Sequence, residues 1–560
     1  MIERWETRCK PDVLAVIAIS ATWLILVWAV DPIGDFPLND DWIYGGTVRS
    51  ILTGGGFRIP GPSVPDLLTQ ALWGAVFCLP FGFSYTALRL STITLALLGL
   101  WFCYALARDN GSSPRLAFIA TASIAVNPLY LALANSFMTD VPFMALLVAA
   151  LFFLVRFLRD ESWPALAAGL VIALLAILTR QIGVAILAAF AVANAIKYRF
   201  RIAPALLGAL PAVAGVVIHL LWQRELMVSG RAPSVMFSGV SQFIPRDLVR
   251  LAAGSIHLTI DIAPYIGFVL VPVVAVIGAL SGSPRRRIGF GAMCVVATIL
   301  LWWSGGLLPS VGNVIGVTGL GPLTQRDTYI LGVNLPQAGV WTTGFWIAAT
   351  ALGVIGAAAL AAIGGRDAAR RIPRLWRGGT ERGDWLWIMA AVTGAGYWAS
   401  VLLLVYRQGV CFDRYIVPLL PIALLLLLAG ATEPDRRPGW TVCAGAVLVL
   451  TGGLSVAATA DYLSWNRTRW AALNHLTRDL GIPPARIDGS WEFNGTMLFD
   501  PDYRASPGKS LWWVRRDDYM LASGPLPGYR EVIHYDVPKL LPIGVRQVVV
   551  LERILEGEGR

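Results

Sequence analysis

Apolar residues are arranged along this chain in long runs separated by short polar linkers. A helix rises about 1.5 Å per residue, so about 20 mostly apolar residues cover a hydrocarbon core of about 30 Å. Runs suited to that task lie near 12–30, 84–106, 115–133, 141–157, 164–179, 183–196, 203–222, 261–280, 289–304, 341–363, 386–405, 415–430 and 439–458. The pattern predicts thirteen membrane helices, give or take one or two. The short pair near 164–196, which shares one turn, is the part most open to miscounting. Taken alone, the first run could be a signal peptide with Arg4 to Lys10 as its basic lead. It is long for such a segment and no small-residue cleavage site precedes Asp31, so an uncleaved first helix is expected.

The linkers set the orientation. Alternate ones carry Arg4, Arg8 and Lys10; Arg108 and Arg115; Arg156 and Arg159; Lys197, Arg199 and Arg201; Arg285 to Arg287; Arg366 through Arg382; and Arg436 with Arg437. Basic residues concentrate in cytoplasmic loops, and thirteen spans place all seven clusters on one side. The N-terminus is then expected in the cytoplasm and the C-terminus outside it. Short loops and an Arg- and Ala-rich composition suggest a bacterial plasma membrane.

Three extracytoplasmic pieces stand out: a first loop at 31–83, a Gly-, Pro- and Asn-rich loop at 305–340, and a tail at 459–560 of ordinary soluble composition. The middle one reads as irregular, with room to move. The tail predicts a small α/β domain with a helix at Tyr462–Leu480 and strand-like runs such as Val548–Leu551, following a membrane domain at 1–458. The fold class expected is therefore an all-α polytopic membrane protein carrying a small C-terminal α/β domain. Two N-x-T sequons, at Asn466 and Asn494, fall in that tail.

Composition agrees. Of 560 residues 56% are hydrophobic and 14% charged, with mean hydropathy +0.64, far from the globular norm of roughly 25% charged. The formal net charge of +10 does not imply nucleic acid, because the basic residues sit in short clusters between apolar runs. Six cysteines and four widely spaced histidines (His219, His257, His475, His534) supply neither a disulfide framework nor a metal-ligand spacing.

Charged groups at membrane depth are costly, and those that persist tend to be functional. Here they gather at the extracytoplasmic ends of the helices. Asp40 and Asp41 follow the first span, Asp140 precedes the fourth, Arg180 and Gln181 lie between the fifth and sixth, and Arg407, Asp413 and Arg414 precede the twelfth. A carboxylate there can take a proton from an acceptor hydroxyl or amine, while arginines can hold a departing phosphate. Plainer readings stand beside these. A charge at a helix end is usually a solvated anchor, Asp140 before Val141-Pro142 can be a helix cap, and Arg414-Tyr415 can be an interfacial pair. The adjacent Asp40 and Asp41 could also bind a divalent cation, although no ligand set compels one.

Asp40-Asp41-Trp-Ile-Tyr44, followed by Arg49, Gly55 and Pro60, resembles the D-E-x-x-Y…R…G…P pattern after the first helix of GT-C glycosyltransferases. The branch it looks like comprises protein O-mannosyltransferases and lipid A aminoarabinose transferases. Phe81 to Arg89, Ser136 to Pro142, Leu178 to Gly183 and Arg414 to Pro421 resemble further motifs of that branch in order, across roughly residues 10–430. The resemblance implies an inverting transferase using a polyprenyl-phosphate sugar at the outer face, with a glycolipid, polysaccharide or protein as acceptor. It implies Asp40 as catalytic base and Asp140 as a second acidic residue near the reacting centre. Arg180 and Arg414 would then lie by the donor phosphate, with Tyr44 and Arg49 supporting the loop and Asn313, Gln325, Arg326 and Asp327 helping to close the cavity. Two departures matter: Asp41 replaces a glutamate, leaving open which carboxylate is the base, and Gly61 to Asp66 lacks the lysine many relatives place on the phosphate.

A transporter or flippase of a lipid-linked or polar substrate is the alternative. It predicts inverted repeats and polar groups at mid-depth, whereas the spans here are mostly free of ionisable groups and His219 is the outlier. A non-catalytic scaffold displaying the tail would not require Asp40 or Asp140.

Overall fold

The computed structural model describes residues 2–63, 66–233, 247–277, 284–381, 383–430 and 438–554. Val64, Pro65, Arg382, Arg436 and Arg437 lie outside the described residues.

The chain is a bundle of helices topped at one end by a small sheet. α1 (Ile2–Val30) enters the bundle, and the short α2 (Asp41–Leu52) and α3 (Leu68–Cys78) follow it. α4 (Tyr85–Asp109), α5 (Pro114–Ala125), α6 (Pro128–Ala134), α7 (Asp140–Asp160), α8 (Trp163–Ile177), α9 (Val184–Lys197) and α10 (Ile202–Val228) come next. α11 (Leu248–Val276), α12 (Pro284–Ser304), α13 (Val340–Trp376), α14 (Asp384–Gln408), α15 (Leu419–Gly430) and α16 (Pro438–Asn474) complete the bundle. This is a multi-pass membrane protein. Among the described residues eight helices are long and apolar enough to cross a membrane by length and composition, nine if the bent pair α5–α6 is one span.

The described part of each of the thirteen apolar runs falls on a helix or on that pair, but α8, α9 and α15 are short, at 15, 14 and 12 residues. α8 and α9 nonetheless run between the two ends of the bundle. Lys197 pairs with Glu161 at 2.8 Å at one end, and Arg180 meets Asp140 at the other. Arg180, in the turn between them, is buried. The 64° bend between α5 and α6 has a local cause. Asn127 precedes Pro128, which disfavours helical geometry at Asn127, and the Asn127 side chain caps the new helix by accepting from the Leu129 and Tyr130 amides at 3.0 and 3.3 Å.

The lipid-facing surface is apolar, as on α10, where Leu206, Leu210, Val213 and Leu221 are exposed. His219 on this helix has an acidic partner. Its Nδ1 lies 2.6 Å from the buried carboxylate of Asp66, which Gln223 also binds, strapping the first loop to α10. Basic linkers meet at the opposite end of the bundle from Asp40. Arg108 pairs with Asp12 at 2.6 Å, Arg371 and Arg374 share the buried Asp384, and Arg199 donates to the Arg377 carbonyl at 3.3 Å.

At the site end, long-range hydrogen bonds replace regular structure. The buried guanidinium of Arg89 donates to the carbonyls of Pro32 and Gly34, at 3.1 and 2.6 Å, and to that of Phe36, which explains the Phe81-to-Arg89 motif as an anchor for the first loop. Asp41, also buried, accepts from the Leu38 amide at 3.3 Å and the Phe137 amide at 3.0 Å, and Gln70 donates to the Phe137 carbonyl at 2.5 Å. The 305–340 loop is tied down rather than loose. Its hairpin of β1 (Ile315–Gly316) and β2 (Gly319–Leu320) is held by Asp413, which accepts from the Val314 and Ile315 amides at 3.0 and 2.6 Å. Asp327 in the same loop accepts from the Ser523 amide at 2.7 Å.

α16 continues the last span without interruption past position 459, so the expected domain boundary falls within one helix. On its end pack β3 (Ile487–Asp488), α17 (Trp491–Leu498), β4 (Tyr519–Ala522), β5 (Tyr529–Asp536) and β6 (Gln547–Arg553), in sheet order β3-β4-β6-β5. β3 runs parallel to β4, and the other pairings are antiparallel. Leu473, Ile487, Phe493, Leu521, Val548 and Val550 form the core beneath. Asn466 and Asn494, the sequon residues, are buried within this unit, bound to Arg469 and Asp488.

Burial raises three of the site-end carboxyls: Asp41 to about 7, and Asp327 and Asp413 each to about 6, against the amide hydrogen bonds that favour their ionised forms. An acid whose folded pKa exceeds its unfolded value stabilises the fold fully below the unfolded pKa and loses that contribution as pH rises through the folded one. Thermal stability of the purified protein should therefore fall between pH 5 and pH 8, by about 5 °C in melting temperature. Asp41→Asn should flatten part of that slope. A melting temperature that rises across this window would contradict the assignment.

Candidate functional site

Asp40 occupies the N-cap position of α2, directly after Asn39, which adopts left-handed backbone (φ 50°). Asparagine tolerates that conformation better than most residues. The turn aims the Asp40 carboxylate into the end of the bundle, where Arg414 Nη1 donates to its Oδ2 at 3.0 Å. Arg414 belongs to a short helical turn at Asp413–Ile416 that precedes α15, and its guanidinium lies over the rings of Phe412 and Tyr415 at 5.0 and 5.8 Å. Beside it, Arg180 donates to Asp140 and faces the same Tyr415 ring at 5.6 Å.

Asp140 is the first residue of α7, after the N-cap residue Thr139, and its side chain turns to Arg180. The Tyr44 phenol stands within electrostatic range of all four charged groups. Two acids and two guanidiniums thus share one recess, contributed by chain segments from residue 40 to residue 414.

The recess is not closed on itself. Among the described residues Asp140 Oδ2 and Arg414 Nε are buried without a hydrogen-bond partner. Accessibility separates the three aspartates. The Asp40 side chain is 18% exposed, that of Asp140 1%, and Asp41 is wholly buried and occupied by backbone amides. Asp40 and Asp41 therefore point to different partners, and among the described residues there is no group of three or more His, Cys, Asp or Glu side chains that could hold a metal ion.

Tyr44, Asp140, Arg180 and Arg414 join Asp40 in the recess, but other residues singled out in the sequence do not. Arg49 is exposed on α2 and stacks on Phe83 at 4.3 Å. Arg326 is buried against the sheet, donating to Asp517 at 2.8 Å and to the Gly508 carbonyl. Asp413 and Asp327 serve as loop anchors, as described above. Arg407 is exposed at the end of α14.

Sequence reasoning missed the neighbours supplied by the tail. Glu492 accepts from the Asn39 amide at 3.0 Å, and Trp42 packs against Trp491, Phe499 and Trp513 with ring centroids 5.6, 5.9 and 5.7 Å away. The cluster of tryptophans in an otherwise soluble tail was the available signal. An apolar cavity of about 310 Å³, lined by Tyr265, Phe268, Ile315, Trp341, Phe345 and Trp346 among others, lies between α11, α13 and α16. Ile315, on its wall, hydrogen-bonds Asp413, the neighbour of Arg414.

Residues 67–222 match the family described as dolichyl-phosphate-mannose-protein mannosyltransferase. No curated protein matches the chain in sequence. Among solved structures, ArnT from Cupriavidus metallidurans is similar in its apo state, at 15% identity and TM-score 0.41, over 96% of this chain and 97% of that one. The same protein bound to undecaprenyl phosphate gives 14% identity and the same score and coverage. The S. cerevisiae protein O-mannosyltransferase Pmt1-Pmt2 complex bound to the sugar donor gives 15% identity and TM-score 0.32 over 41% of this chain; the chain spans 35% of the yeast chain it matches. Three of the motifs read from the sequence, at Phe81 to Arg89, Ser136 to Pro142 and Leu178 to Gly183, lie inside the stretch that is similar to that mannosyltransferase family.

Proposed function

We propose that this protein is an inverting glycosyltransferase of the bacterial plasma membrane. It moves a sugar from a polyprenyl-phosphate donor to an acceptor on the extracytoplasmic face, with Asp40 as general base. The observation that carries this reading is the recess itself: an accessible carboxylate 3.0 Å from an arginine, which stands beside a second arginine on a second, buried carboxylate. The match of residues 67–222 to a family acting on a lipid-phosphate sugar supports the donor class.

The chemistry follows from the charges. Arg414 is engaged by Asp40 before donor arrives, so Asp40 is neutralised as a base. A donor phosphate offers Arg414 a competing anion, and guanidinium binds phosphate in bidentate fashion. Drawing Arg414 toward the phosphate releases Asp40 to accept the proton of an acceptor hydroxyl or amine. That nucleophile then attacks the anomeric carbon from the face opposite the phosphate, which leaves as the free polyprenyl phosphate with its charge stabilised by Arg180 and Arg414. Asp140 holds Arg180 in place for that step. The apolar cavity beside the Asp413 turn suits the hydrocarbon tail of a lipid-linked substrate. The acceptor is a glycolipid, a polysaccharide or a protein. The basic linkers at the far end of the bundle support a cytoplasmic location for that end, which puts the recess and the C-terminal unit outside.

Asp40→Asn should reduce transfer of radiolabelled sugar from polyprenyl-phosphate donors into membrane extract by at least about 10²-fold, while leaving membrane insertion intact. Full activity in that variant would remove Asp40 from the base role. Absence of transfer from every donor by folded wild-type protein would turn attention to flipping. The topology has its own check. A cysteine replacing the exposed Arg504, in a cysteine-free background, should react with a membrane-impermeant thiol reagent in intact cells, and protection until lysis would invert the orientation.

A further inference from the structure

The C-terminal unit touches the chain on both sides of Asp40. On one side, Asn39 gives its backbone N–H to Glu492 Oε1 at 3.0 Å, and its side-chain amide reaches Asn313 at 3.4 Å. On the other, the Trp42 ring is enclosed by Trp491, Phe499 and Trp513. The fit is close enough that a Cβ added at Gly495 of α17 would collide with the Trp42 ring. The two residues between these grips are Asp40 and Asp41, and Asp41 is fixed separately by Phe137.

Glu492 is held at unusual expense. It is wholly buried, as is its ion-pair partner Arg469 at 3.0 Å. Its Oε2 accepts the Thr324 hydroxyl at 2.7 Å, and Arg469 also donates to Thr324, Ser490 and Asn466 at 2.7, 2.8 and 2.8 Å. Three separate stretches, the first loop, the second loop and the tail, therefore converge on one carboxylate. A buried ion pair of this kind contributes little net stability compared with apolar residues of the same volume. What apolar residues could not supply is an acceptor for the amide of Asn39, whose left-handed conformation decides where the next residue points.

We infer that Glu492 is a positioning residue for the reaction, setting the direction of Asp40 through the Asn39 amide, and that the C-terminal unit is thereby part of the active centre rather than an appended module. This rests on the reading of Asp40 as the base. A shift of about 1 Å in a reacting group can cost on the order of 10²-fold in rate, so a hydrogen bond outside the recess suffices to control turnover. Donor binding falls to Arg180 and Arg414, and Glu492 bears on it only through the Asp40–Arg414 pair.

The test measures kcat, donor KM and melting temperature together for Glu492→Ala and Glu492→Gln in the full-length protein. Both variants leave Arg469 buried without its counter-charge and should lose comparable thermal stability. Glutamine, however, keeps an oxygen for the Asn39 amide. Glu492→Ala should lower kcat by on the order of 30-fold with donor KM changed less than about twofold, and Glu492→Gln should recover most of that loss. A purely structural role predicts that the two variants lose kcat in parallel with melting temperature, and that outcome would overturn the inference, as would wild-type kcat in Glu492→Ala. Should neither variant accumulate in the membrane, Trp42→Leu tests the other grip with the ion pair intact. It should lower kcat about tenfold at unchanged donor KM, and unchanged kcat would overturn the inference. Transfer by Asp40→Asn at the wild-type rate would bring down the underlying reading as well, whereas normal turnover in Glu492→Ala brings down this one alone.

Discussion

One hydrogen bond holds the functional end together: the buried carboxylate of Asp41 accepting the Phe137 amide, between residues 96 positions apart. Asp40 is the residue before one partner, and Asp140 is three residues beyond the other. Fixing this contact fixes the two acidic motifs relative to each other, and Gln70 on the Phe137 carbonyl keeps the peptide from turning. A charge or polar group buried this deeply is tolerated only when its partners are complete. Asp41 satisfies that with two amides, one from each side of the joint. Arg89 does the same for the preceding stretch by gathering three carbonyls, so the first loop has a defined shape without a sheet or a long helix.

The recess balances its charge internally. Two carboxylates face two guanidiniums, an arrangement that can remain buried without a bound ion. An arriving anion unbalances it, and the cheapest response is for one guanidinium to change partner. Arg414 is better placed to do so than Arg180, because its acidic partner, Asp40, is the more exposed of the two carboxylates. The Arg180–Asp140 pair, sunk deeper, is suited to staying as it is.

Much of this architecture was legible in the sequence, for a reason specific to membranes. Lipid cannot satisfy backbone polar groups, so spans must be helical and apolar throughout, and the described part of every one of the thirteen runs falls on a helix or on the bent pair. The recess was legible in part because charges that persist at helix ends are few: Asp40, Asp140, Arg180 and Arg414 do come together. Arg49 and Arg326 belonged to the same pattern and went elsewhere, one to a phenylalanine on the surface and one to Asp517, because residue type alone does not reveal a partner. Spacing could not show that Glu492 reaches Asn39, 453 residues away, or that Arg469 and Glu492 form a pair, since neither contact leaves a periodic trace. The bend at Asn127-Pro128 was written in the sequence as a helix-stop signal, but it was hidden inside a continuous apolar run.

α16 is a single helix of 37 residues, about 55 Å long at 1.5 Å per residue, and it serves as both a membrane span and the floor of the sheet. A helix of that kind has no joint at the membrane surface. The C-terminal unit therefore cannot swing aside as a hinged cover while the spans stay still; it rides on the bundle as the arm of a lever rides on its shaft. Any strain applied to the sheet is then delivered to the interior of the bundle.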